Sequence, residues 1–175
     1  MALEQSADFD IEALYAALDA QRQARGISWQ QVVREMNALS ERVPARPTIS
    51  ASTLTGMRNR AVIEGDGVLQ MLRWLDRTPE SFVPGHPVAA EAAKLPDVGP
   101  YQILRFDTGR LYAALDAQRR DRGMTWNEVA SEIGGFSAAG LTRLSKGGRT
   151  GFPHVMRMTR WLRLPAACFM RAFDR

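Results

Sequence analysis

The side chains that could do chemistry are unevenly spread along this 175-residue chain. Between positions 137 and 163 stand Arg143, Lys146, Arg149, Arg157, Arg160 and Arg163, with no acidic residue among them. A single-sign run of guanidinium and ammonium groups attracts polyanions, and Arg in particular matches the geometry of an oxyanion. Residues 1–95 hold 10 basic and 12 acidic side chains, whereas residues 96–175 hold 13 basic and 7 acidic ones. The net charge of +4 therefore resides in the second half. Groups for covalent or metal chemistry are scarce. His86 and His154 have no metal-ligand spacing, and the lone Cys168 has no histidine nearby. Gly147-Gly148-Arg149-Thr150-Gly151 lacks the Gly-Lys-Ser/Thr ending of a phosphate-binding loop. The expectation is a chain that is no enzyme, with no catalytic residue, metal or cofactor.

The elements that must position the basic run are written twice. Leu14–Arg22 and Leu111–Arg119 both read LYAALDAQR, and the likeness extends to 16 identities in 28 positions between residues 9–36 and 106–133. Residues 50–83 match 137–170 with 10 identities in 34, at an offset of 87 rather than 97. The first copy thus carries ten extra residues between its matched blocks. This is a duplicated domain, with copies over 9–83 and 101–175 and a linker over 84–100. The linker's four prolines and lack of periodicity suggest that it hardly limits how the halves sit.

Each copy reads as five short helices with no convincing strand. In the first, apolar spacing gives a helix over 9–25 closed by Gly26, then a second opened by Ser28 in a capping-box pattern. A loop over 37–49 follows, with Pro44 and Pro47. Helices over about 51–58 and through Val68, Met71 and Leu75 come next, with the turn EGDG between them. In the second copy Thr125 and Glu128 form a full capping box, Gly134-Gly135 a tight turn and Ser137 an N-cap for the third helix. Pro165 opens a fifth helix carrying Ala166 and Phe169. Trp29, Trp74, Trp126 and Trp161, at equivalent places, read as core, and Cys168, whose counterpart is Ser81, as packing. Arg119, Arg120 and Arg122 read as partners of Asp116 and Asp121.

Over residues 106–169, and more faintly over 9–82, this order resembles the lambda-repressor/Cro-like (XRE) helix-turn-helix family. The corresponding residues are Arg120-Asp121-Arg122-Gly123, Met124-Thr125, Val129-Ala130, Gly134, Ser137 and Lys146-Gly147. The second copy departs from the family at Trp126, at the extra Gly135, at Gly140 and at Ser145. In the first copy Val33 replaces the small Ala, Asn37 replaces the turn Gly, and the longer loop should loosen helix three against helix two. The resemblance implies an all-α chain of two tandem five-helix helix-turn-helix bundles.

It also implies sequence-specific binding of double-stranded DNA as a transcriptional regulator, repressor or activator. Ser137, Ala138, Ala139 and Arg143 would face the groove, while Lys146, Arg149 and Arg157 would contact phosphates. The alternative class is a protein-interaction module, an antitoxin or adaptor, with a protein partner held by the neutral first copy. The copies are expected to pair as an internal pseudo-dimer, and homodimerisation stays open. The longest apolar run is only a few residues and MALEQSADFD has no secretory pattern, so the expectation is a cytoplasmic chain with no membrane partner.

Overall fold

The computed structural model describes residues 8–39, 41–42, 49–59, 65–89, 94–148 and 150–174, the side chain of Asp66 excepted. The expected loop prolines Pro44 and Pro47, the start of the EGDG turn and Arg149 lie outside these residues. In the first copy α1 (Ile11–Ala24), α2 (Trp29–Ala38), α3 (Ala51–Thr55) and α4 (Gly65–Leu75) are followed by a 3-10 turn over Pro79–Phe82. Strand β1 (Gln102–Phe106) then precedes α5 (Thr108–Asp121), α6 (Trp126–Ile133), α7 (Ala138–Arg143) and α8 (Phe152–Leu162). A 3-10 turn over Ala166–Phe169 leads into strand β2 (Met170–Asp174).

Side-chain caps start the equivalent helices in the same way. Asp10 and Asp107 each accept the backbone N–H three residues on, as do Ser28, Thr125, Ser50 and Ser137. Each cap satisfies one of the orphan donors of a helix's first turn. Thr125 and Glu128 complete the reciprocal box. Gln31 does not: its amide donates to Glu35 at 3.3 Å instead. Gly26 and Gly123, at φ 62° and 63°, close α1 and α5 in the left-handed region that glycine enters without steric cost.

Two expectations are corrected. The chain is mostly helical but not all-α, because β1 and β2 pair antiparallel from Gln102 opposite Asp174 to Phe106 opposite Met170. The fifth helix of each copy is only a four-residue 3-10 turn. The second copy's turn runs straight into β2, and Asp107 N–H donates to Phe169 O at 2.7 Å, pinning the two strand ends together. Asp10 N–H makes the same bond to Phe82 O. There, however, the counterparts of Arg171 and Asp174 are Pro84 and Pro87, which have no N–H to give a ladder.

The buried side chains form two clusters, and the first crosses the copies. Leu14, Leu18, Met36, Leu54, Met71 and Leu72 are joined there by Leu104, Phe152, Met156, Ala166 and Met170 from the second half. The second cluster, with Leu111, Leu115, Val129, Ala130, Leu141 and Leu144, is drawn from the second copy alone. Across the seam, equivalent positions meet reciprocally. Phe9 packs edge-on to Phe152 with ring centroids 4.7 Å apart. Phe106, the counterpart of Phe9, lies 3.7 Å from where a Cβ on Gly65, the counterpart of Phe152, would sit. Glu80 is 5% exposed and accepts Ala166 N–H at 2.6 Å across the same seam. The described parts of the linker are held as well, contrary to its composition. Leu95 and Val98 pack on the first cluster, and His86 Nε2 lies 3.4 Å from Thr159 Oγ1. Among the described residues no helix is long and apolar enough to cross a membrane.

Candidate nucleic-acid interface

The unit that carries the expected reading residues is α6, a four-residue turn and α7. Gly134 and Gly135 both sit at φ 76°, which lets the chain reverse tightly before Ser137 caps α7. Ser137 Oγ accepts Gly140 N–H at 3.1 Å. Leu141 is fully buried and Leu144, in the 3-10 extension Leu144–Lys146, nearly so, which fixes the inner face of this short element. Its outer face carries Ser137, Ala139, Arg143 and Lys146, all exposed, with Ala138 half-buried beside them. The structure thus brings five of the seven expected residues onto one element.

Arg157 stands apart from that face. Its guanidinium takes the Asp8 carboxylate in a fork, Nε to Oδ1 and Nη2 to Oδ2 both at 2.6 Å. Its Nη1 donates to Gly134 O at 3.2 Å. The hydrogen bond from Arg157 holds the Asp8 carboxyl below its ordinary range, and burial only partly opposes it. Arg157 therefore ties the α6–α7 turn to the first copy's N-terminal edge. Beside it His154 packs on Phe136, centroids 4.6 Å apart, and burial, with the Arg157 charge, holds its imidazole below the ordinary value. Its place against the turn, with the Arg157 fork, braces the turn from below.

The frame around α6 rests on a network that sequence reasoning missed. Arg122 forks onto Glu132 at 2.7 and 2.9 Å, ten residues away, and not onto Asp121. Trp161 Nε1 donates to the same carboxylate at 2.8 Å, and Arg122 lies over the Trp161 ring at 5.5 Å. Hydrogen bonds from Arg122 and then Trp161 hold the Glu132 carboxyl low. The first copy repeats the set with Arg25, Glu35 and Trp74, and Glu35 falls to about 2 for the same causes. Arg119 and Arg120 do pair with Asp116, both at 2.7 Å. Arg119 also lies over Trp126, as Arg22 does over Trp29, each at 5.1 Å. The four tryptophans are half-buried, each packed against one of the two core clusters and covered by an arginine, and Cys168 is exposed. Glu35 and Glu132 are identical within the repeat, and that identity was the available signal.

In the first copy the counterparts of Arg143 and Lys146 are Gly56 and Asn59. Its α3 is nonetheless anchored, against expectation. Asn37, at the position of Gly134, donates from Nδ2 to Ile49 O at 2.9 Å and accepts Ile49 N–H at 3.0 Å. One side-chain amide thereby closes the long loop at its base. A comparison with protein families, with curated proteins and with solved structures gives no match for this chain.

Proposed function

We propose that the chain is a sequence-specific double-stranded DNA-binding transcriptional regulator built from tandem helix-turn-helix-like halves, with its main reading head in the second copy. The observation that carries this reading is the outer face of α7 and its extension. Ser137, Ala139, Arg143 and Lys146 stand exposed there, on a base of buried Leu141 and Leu144, within a segment that has no acid. Small residues at the helix start allow close approach to a groove, and Arg143 has the fork that reads guanine. Lys146 would position the protein on a phosphate. The reciprocal contacts at the seam support an internal pseudo-dimer whose two unequal heads would favour an asymmetric site.

Gel-shift titrations of the intact chain over a range of salt concentrations test this reading. Affinity should fall steeply with salt, and Lys146→Ala should lower the log–log slope by about one. Salt-insensitive binding, or a slope unchanged by Lys146→Ala, would remove the proposed face from contact with DNA.

A further inference from the structure

The register of β1 on β2 fixes which backbone groups of β2 are already used. Asp107 N–H donates to Phe169 O in line with that register, so 107 and 169 are a hydrogen-bonded pair. Such pairs alternate along an antiparallel ladder, which makes Arg105 with Arg171 and Ile103 with Phe173 the next two. The amides of the residues between them point away from the neighbouring strand. Two observed bonds agree with this: Gln102 N–H turns outward to Gly99 O, and Met170 N–H to Ala167 O. Met170 O and the N–H and C=O groups of Ala172 and Asp174 therefore line the outer edge of β2. Among the described residues the sheet has no third strand to meet them.

Unpaired edges invite further strands, and proteins blunt them with proline, lysine or bulges. The first copy is blunted, with Pro84 and Pro87 where the second has Arg171 and Asp174. Met170–Asp174 contains neither proline nor lysine, its central residue is the small Ala172, and Phe173 is 37% exposed. Its charges cancel as well, with Arg171 near one end and Asp174 at the other. A strand of this pattern is complementary to itself run in the opposite direction, whereas a parallel alignment would set like charge on like.

We propose that β2 pairs with β2 of a second copy of this chain, antiparallel about a two-fold axis at Ala172, to form a four-stranded sheet across a homodimer. The two Ala172 residues exchange a pair of hydrogen bonds, and Asp174 N–H of each chain donates to Met170 O of the other. Arg171 falls opposite the partner's Phe173, in the more closely spaced non-hydrogen-bonded pair. Its guanidinium already lies 5.7 Å from the ring of its own Phe173 while bonded to Asp107 at 2.9 Å, so a second ring adds to it without freeing a charge. Each Arg171 also meets the end of the opposing strand that carries Asp174. A two-fold contact of one short strand is small, so the dimer is weak and concentration-dependent. The pairing does not rest on the DNA reading.

Sedimentation equilibrium of the full chain from micromolar to millimolar concentration measures the dimer, and amide hydrogen exchange read by NMR locates it. The mass should rise towards that of two chains and stop there. Exchange at Ala172 and Asp174 N–H should slow about tenfold once nine chains in ten are paired, while Phe173 N–H, already bonded to β1, changes little. Ala172→Pro removes only an outward N–H, so it should abolish the dimer and leave the intrachain ladder in place. Asp174→Arg gives each edge two like charges, at the cost of one exposed bond to Gln102, and should weaken pairing about tenfold. If Ala172→Pro lowers the helical circular-dichroism signal, Asp174→Arg alone decides. A chain that stays monomeric throughout, a dimer indifferent to the deciding variant, or slowing at Phe173 instead of Ala172 would overturn the proposal. So would assembly beyond the dimer, because the two-fold contact uses up the edge.

Discussion

Phe152→Ala tests whether the two copies fold as one body. Phe152 opens α8 of the second copy, yet it is fully buried in the cluster that belongs mainly to the first. Its ring meets Phe9 at 4.7 Å and Phe106 at 5.5 Å, both edge-on, so truncation removes two aromatic contacts together with the buried area. Gly65 at the equivalent place cannot compensate, since the Phe106 ring already covers it. A fully buried Phe→Ala change costs about 3–5 kcal/mol, which for a chain of this length lowers the melting midpoint by roughly 6–20 °C. Thermal and urea unfolding measure the total, and hydrogen exchange shows where the loss falls. Amides of Leu14 and Leu18 in α1 should lose protection by the same factor as those of Leu111 and Leu115 in α5. A loss below about 1 kcal/mol, or one confined to α5–α8, would refute a shared core and restore two independent domains.

Other consequences are as direct. Asn37→Ala removes both bonds to Ile49 and should cost about 1–3 kcal/mol, with early exchange at Ile49 N–H and at α3; unchanged protection there would mean that the loop is held elsewhere. Burial raises the Glu80 carboxyl, so the folded state holds its proton more tightly than the unfolded one. Its ionisation therefore costs stability as the pH rises from about 4.5. Glu80→Gln, which can still accept Ala166 N–H, should stabilise the chain at pH 7 and lose that gain by pH 4. Equal gains at both values, read by denaturant unfolding, would dissociate the effect from ionisation.

The duplication, the helices and most of their caps were legible in the sequence because they are local. Ser28, Thr125 and Ser137 act within three residues, and a 3.6-residue period exposes Leu14, Leu18, Leu111 and Leu115 as an inner stripe. What could not be read depends on partners far along the chain. Ile103 and Leu104 form a strand only because Phe173 and Ala172 arrive beside them. The fork of Arg122 onto Glu132 spans a helix turn whose angle no periodicity reveals. Nothing local to Phe152 marks it for complete burial, and only the seam explains it. Asn37 stands where the resemblance has glycine, yet its amide replaces a backbone partner for Ile49. The basic run shows both sides. Composition located it, but the structure divides it between the α7 face, with Arg143 and Lys146, and Arg157, which is forked onto Asp8.

The most direct measurement is selection of bound duplexes from a random pool by the intact wild-type chain and by Arg143→Ala. The account predicts that the wild type enriches an asymmetric motif, and that Arg143→Ala loses preference at one guanine within it, at a cost of about 1–3 kcal/mol. No enrichment by the wild type, or the same motif unaltered in Arg143→Ala, would contradict it.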